Sequence, residues 1–504
     1  MTEAHAPIIE TSLGRVRGEA VAGGARFLGI PFAAPPTGAH RFATPRPAEA
    51  WRGVRDARAF GPGPIQPTDG LSAQLGLLAA FEQSEDCLTL NVFAPAGGAT
   101  GARPVMVWLH GGAFQTGTAS GPVYEGSALA RRGDVVVVTL NYRVGALGFL
   151  AGDRAEAWNL GLQDQCAALR WVRDEIAAFG GDPARVTVFG ESAGAGSLVA
   201  LLAMPAARGL FRRAIVQSGA PEGILEREEA LARRAIFLLN AGVSEESPEA
   251  LLTLPPETIR KAQEACEEPG PRRIGMFFAP VVDGNWLPRP PLEAIAAGAA
   301  RDVELIVGTA AEEMQLYHLL PGFAEIPDAA LPHYVASRLP APDDTRLARA
   351  EALLREYPAE ALPGLDRFFA IETDASLFVP ATRLAEAQAA LQPRTFMYRF
   401  TQPSPLEGGR LGACHALDVA FALANTRLVP AFAGDGPRVR AVEADLSGAW
   451  ARFAHSGDPA SSDAPWPPYT AAQRTTRIFG PGGPVVDAPC EPRRRAWQHA
   501  LQLG

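Results

Sequence analysis

Six short apolar, β-rich runs constrain this chain more than any other feature: residues 105–109, 135–140, 186–189, 214–217, 303–307 and 395–400. The run Val135-Val136-Val137-Val138 offers no polar face to water, which suits a strand buried on both sides. Helical patterns lie between several of these runs. The clearest covers 164–179, where Cys166, Leu169, Trp171, Val172 and Ile176 fall near helical spacing, and Gly180-Gly181-Asp182-Pro183 then stops the helix before the next run. Strands alternating with helices imply an α/β fold around a large, mostly parallel sheet flanked by helices. No internal repeat or flexible linker divides the 504 residues, so one domain spanning 1–504 is expected. Its segment from about 224 to 374 is rich in Ala, Leu, Glu and Arg in helical patterns, apart from the run at 303. That segment is expected to be helical insertions laid over the sheet and its active site.

Charge narrows the classes of function. The formal net charge is −9, which argues against a nucleic-acid partner, because that affinity rests on basic patches facing phosphates. Residues 1–18 carry no apolar core behind a basic head, and no stretch reaches the roughly 18 apolar residues of a membrane span. The five cysteines, Cys87, Cys166, Cys266, Cys414 and Cys490, are odd in number and scattered, which suits a reducing compartment better than a disulfide framework. A cytoplasmic protein without membrane contact is the expectation.

Gly190-Glu191-Ser192-Ala193-Gly194 has the G-x-S-x-G form of a nucleophile elbow, in which a sharp strand-to-helix turn exposes a serine at its tip. The run 186–189 precedes it and small residues follow, which is the context the turn needs. His110-Gly111-Gly112 follows the run 105–109 and has the form of an oxyanion-hole loop. The donors are assigned to the N–H groups of Gly111, Gly112 and Ala193. A serine at its ordinary pKa needs a base held by a carboxylate. Of the eight histidines, His415 follows the last clear run through a loop and fits the chain order serine, acid, histidine. The acid belongs just past a strand, and Glu312 and Glu313 both follow the run at 303.

With these residues in place, the chain resembles the type-B carboxylesterase family, which includes bacterial para-nitrobenzyl esterases and the cholinesterases and has the α/β-hydrolase fold. The resemblance runs nearly end to end, through 27–36, 85–92, 141–150 and 159–164 to Trp450, Phe453, Gly457-Asp458-Pro459 and Trp466-Pro467-Pro468-Tyr469. It implies that the third triad member is the second acid of a G-T-x-x-D-E-G pattern, here Glu313. The sequence departs from that pattern with Glu312 for aspartate and Met314 for glycine. It also implies that Glu191, Ser218 and Asp418 support the acid and the histidine. Secreted relatives pair Cys87 with an upstream cysteine, and none precedes it here.

The expected function is that of a serine carboxylesterase acting on a small-molecule ester through an acyl-enzyme, with no metal or organic cofactor. Two other readings stay open: a catalytically silent binding protein on the same fold, and an acyltransferase, amidase or carbamate hydrolase. Phe114, Phe277, Phe278, Met314, Tyr317 and Phe421 are candidates for pocket wall or for core.

Overall fold

A computed structural model describes residues 6–67, 75, 79–97, 102–266, 276–320, 327–340, 345–362 and 364–502. His5 lies outside them, as do parts of the 224–374 segment.

Among the described residues the main sheet has eleven strands, numbered here in chain order. They are β1 (Glu19–Val21), β2 (Gly24–Pro31), β3 (Thr89–Pro95), β4 (Arg103–Leu109), β5 (Val136–Leu140) and β6 (Gly181–Glu191). The others are β7 (Arg213–Gln217), β8 (Glu304–Ala310), β9 (Thr395–Phe400), β10 (Thr475–Phe479) and β11 (Val485–Asp487). Their order across the sheet is β11-β10-β9-β8-β7-β6-β4-β5-β3-β2-β1. The stretch from β10 to β5 is parallel throughout, and antiparallel pairs close both edges.

Each of the six apolar runs falls in a parallel strand, although Val135 and Val303 sit just outside theirs. The five remaining strands escaped the sequence reading. β1 and β11 have three residues each, and the register of β2 against β3 shifts between Phe27 and Ile30.

Side chains on a strand alternate between faces, and here both faces are apolar. Val105, Val107 and Leu109 of β4 join one core, whereas Met106 and Trp108 join the other. Five helices matter to the site: α1 (Leu160–Glu175), α2 (Ala193–Ala203), α3 (Val379–Ala389), α4 (Leu417–Ala422) and α5 (Pro437–Ser456). The first core takes Leu162, Cys166 and Leu169 of α1, Leu198 and Leu202 of α2, and Leu384 of α3. The second takes Leu417 and Phe421 of α4 with Leu446, Trp450 and Phe453 of α5. Burial on both sides is why the strands read as unbroken apolar runs. It also locks the parallel strands in register, so their C-terminal ends form one fixed rim.

The helix read at 164–179 spans Leu160–Glu175 and tightens into a 3₁₀ turn at Ile176–Phe179, ending on Gly180 at φ 85°. Its Asp164 is fully buried and takes two hydrogen bonds from the Arg143 guanidinium, at 2.8 and 2.7 Å. That pair ties the loop after β5 to α1. Removing one partner of a buried ion pair leaves the other charge desolvated and uncompensated, so Asp164→Ala is expected to cost about 3–5 kcal/mol, read as a lower urea midpoint.

Helices Arg227–Ala241, Pro256–Glu264, Pro291–Ala296, Leu331–Arg338, Arg346–Leu354 and Leu365–Thr373 flank β8 in sequence within the 224–374 segment. A two-residue parallel ladder, Leu225–Glu226 with Val281–Val282, joins two of its connections. Among the described residues no helix is long and apolar enough to cross a membrane.

Candidate active site

β6 ends at Glu191 and α2 begins at Ala193, so Ser192 alone makes the turn, at φ 56° and ψ −124°. This conformation is sparsely populated for a residue with a Cβ and costs on the order of 1–3 kcal/mol. Neighbouring backbone holds it there. The Ser192 N–H donates to the Gln217 carbonyl at 3.0 Å, and the Ser192 carbonyl accepts from the Gly196 N–H at 2.8 Å. A Cβ on Gly194 would overlap the Leu109 carbonyl, so only glycine lets the start of α2 lie against the end of β4.

The loop after β4 packs against this turn. A Cβ on Gly111 would lie 2.9 Å from Glu191 Oε2 and 3.1 Å from the Ser192 Cβ. Among the described residues, the N–H groups of Gly111, Gly112 and Ala193 donate to no protein acceptor. Three unsatisfied donors beside one hydroxyl-bearing turn form a setting for a negative oxygen.

The two adjacent glutamates past β8 have different partners. Glu313, wholly buried, accepts at Oε1 from Ser218 Oγ at 2.6 Å and from the Ala310 N–H at 2.7 Å. Its Oε2 lies 2.6 Å from His415 Nδ1, and its carbonyl accepts from the His415 N–H at 3.1 Å. Glu312 instead accepts from the Ala413 N–H at 2.8 Å and donates its own N–H to the Ala413 carbonyl at 3.0 Å. One glutamate therefore meets the imidazole, and the other clips the backbone of the loop that carries it.

The far ring nitrogen of His415, Nε2, lies 3.1 Å from Glu191 Oε1, close enough for an ion pair but without hydrogen-bond geometry. Among the described residues no hydrogen bond joins Ser192 Oγ to His415. Burial pushes the Glu191 carboxyl up to about 8, against the opposing pull of His415. Burial by itself lowers the basicity of His415, but the Glu191 and Glu313 carboxylates outweigh it and lift the imidazole to about 9. The imidazolium opposes the rise of the Glu191 carboxyl, and the Glu191 carboxylate in turn favours the imidazolium.

The structure brings Glu191 to the imidazole and Ser218 to the acid. Asp418 stands one layer back. Its Oδ2 accepts from Gln217 Nε2 at 3.0 Å and from the Tyr398 hydroxyl at 2.8 Å, while burial pushes its carboxyl up to about 6. Gln217 in turn accepts from Trp450 Nε1 at 3.0 Å. Sequence reasoning missed Gln217 and Tyr398. The available signal was a polar residue closing the apolar run of β7, immediately before Ser218.

Other histidines are engaged elsewhere. His318 Nε2 lies 2.9 Å from Asp366 Oδ1, and His455 Nε2 lies 2.8 Å from the Gly133 carbonyl. Of the candidate wall residues, Phe421 packs on Phe400 and Phe278 on Phe237, both within the cores. Phe114 stands edge-on to Phe149 beside the start of α2.

Comparison with known proteins adds independent findings. The model of the carboxylesterase family matches residues 5–480. A para-nitrobenzyl esterase of Bacillus subtilis is 40% identical over 483 residues, covering 94% of each chain. A phenmedipham hydrolase of Pseudarthrobacter oxydans is 35% identical, covering 95% of this chain and 96% of its own. Human carboxylesterase 3 is 33% identical, covering 94% of this chain and 88% of its own. A solved structure titled PNB esterase superposes with a TM-score of 0.87 at 38% identity, over 97% of this chain and 99% of that one.

Proposed function

Since the chain has the α/β-hydrolase fold and belongs to the carboxylesterase family of carboxylic ester hydrolases, we propose that it cleaves its ester through an acyl-enzyme on Ser192, with His415 as general base and Glu313 as the acid that orients it. His415 Nε2 takes the Ser192 proton as Oγ attacks the ester carbonyl. The N–H groups of Gly111, Gly112 and Ala193 stabilise the oxyanion. Collapse expels the alcohol, protonated by His415, and a water activated by the same imidazole then releases the acid. Glu313 fixes the proton on Nδ1 and stabilises the imidazolium, while Ser218 holds Glu313.

One observation carries this reading: the 2.6 Å contact between Glu313 Oε2 and His415 Nδ1, on a carboxylate whose other oxygen already takes two donors. Such a carboxylate is held toward the ring by its other partners, and the far ring nitrogen, Nε2, lies 3.1 Å from Oε1 of Glu191, the residue before Ser192. The substrate is a small-molecule ester. All five cysteines are free thiols, four of them buried, which supports a reducing compartment and a cytoplasmic location.

The test is hydrolysis of p-nitrophenyl esters of increasing acyl length, with Ser192→Ala in parallel. Turnover by the wild type that is lost in the variant supports the serine mechanism and sizes the acyl pocket. No turnover by a folded wild type on any of the esters, the acetate included, would favour the binding-protein reading.

Glu191 sets the pH range. The base must be neutral to accept a proton, so activity rises as pH climbs through the His415 pKa. The negative charge of Glu191 holds that pKa up. Glu191→Gln is therefore expected to move the acidic limb of kcat/KM to lower pH. A limb that stays in place or moves upward would contradict this coupling.

A further inference from the structure

His110 is wholly buried at the head of the loop after β4, yet the steps above give it no task. Its Nδ1 lies 2.9 Å from the Gly111 carbonyl oxygen, which can only accept, so Nδ1 carries the proton. Burial pushes the imidazole down to about 4, and the neutral ring has just that one N–H to give. The opposite nitrogen, Nε2, has no partner among the described residues, so the ring makes its one hydrogen bond to the loop itself.

Three further contacts fix the ring. Tyr142 stacks on it at 4.3 Å with the planes 14° apart, and the Tyr142 hydroxyl donates to the His110 carbonyl at 2.6 Å. Gly117, at φ 114°, passes so close that a Cβ there would overlap both His110 Nδ1 and the Gly111 carbonyl. The backbone bends around this one hydrogen bond.

The Gly111 carbonyl and the Gly112 N–H belong to the same peptide group. In a trans peptide they point in opposite directions, and the described residues contain no cis bond. Holding the carbonyl toward the ring therefore aims the Gly112 N–H away from it. We propose that His110 is a positioning residue for the oxyanion hole: its Nδ1–H clamps the Gly111 carbonyl and thereby sets the direction of the Gly112 N–H. Without the clamp, two consecutive glycines leave this peptide free to rotate, since neither has a Cβ to restrict it. The inference rests on reading Gly112 as an oxyanion donor.

The test compares His110→Phe with His110→Asn. Phenylalanine keeps the ring stacked on Tyr142 but has no N–H. Asparagine loses the stacking but places its amide nitrogen where Nδ1 was. Each is assayed for kcat and KM on p-nitrophenyl acetate, and for inhibition by a trifluoromethyl ketone, whose adduct with serine carries the oxyanion. His110→Phe is expected to lose about 10²-fold in kcat, as for one oxyanion donor, and to bind the ketone more weakly by a similar factor with KM little changed. His110→Asn is expected to recover most of both. A merely structural role would give the opposite ranking, because phenylalanine fills the site better, and that ranking overturns the proposal. If His110→Phe does not fold, His110→Ala serves in its place, with the same losses expected. Ketone inhibition equal in wild type and the variant lacking the N–H overturns the role of His110 alone. A wild type that hydrolyses the ester but ignores the ketone overturns the oxyanion reading with it.

Discussion

Ser192→Ala is expected to lower kcat by on the order of 10⁴- to 10⁶-fold while the thermal midpoint stays near that of the wild type. The size of the effect follows from the proposed chemistry: no other side chain takes the place of Oγ, so the acyl-enzyme cannot form. The stability expectation follows from the backbone. The turn is held by the Ser192 N–H on the Gln217 carbonyl and by the Gly196 N–H on the Ser192 carbonyl. Both bonds survive in alanine, which has the same Cβ at the same strained φ. A variant that keeps most of its turnover would remove Ser192 from the chemistry.

Glu313→Gln is expected to cost about 10³- to 10⁴-fold in kcat. In the wild type, Oε1 accepts from the Ala310 N–H and Ser218 Oγ, while Oε2 meets His415 Nδ1. The Ala310 amide can only donate, so the amide oxygen of the introduced glutamine must take that place. Its NH₂ group then faces Nδ1 and requires a lone pair there, which shifts the histidine proton to Nε2. An Nε2 that already carries a proton cannot take one from Ser192. Glu312→Gln changes little by the same reasoning, since an amide oxygen still accepts from the Ala413 N–H. Assays of the two variants side by side decide between the acids. Loss confined to Glu312→Gln would transfer the role.

The sequence carried the parallel centre of the fold and pointed to the residues of the candidate site, for a physical reason. Strands β4 to β9 are buried on both faces and therefore apolar along their central runs, which single-chain patterning detects. The edge strands β1 and β11 have too few residues to show a period, and β2 breaks its register near Gly29. The residues of the Ser192 turn were legible because a strained turn demands glycine beside it, and glycine is conspicuous. The choice between Glu312 and Glu313 rested on family resemblance. No spacing rule says which of two neighbours faces an imidazole 102 positions away in sequence, a contact that only the folded structure displays. Gln217, whose one signal was its place at the end of β7, and Tyr398 were missed for a related reason. Their partners, Asp418 and Trp450, are distant in the chain or on another element, and no motif couples them.

The most direct measurement of the central claim is stoichiometric labelling with a fluorophosphonate, followed by peptide mapping. The account predicts one label per chain, on Ser192, with esterase activity falling in proportion to labelling and Ser192→Ala left unlabelled. Activity lost with the label on another side chain, or an enzyme still fully active once Ser192 is labelled, would contradict it.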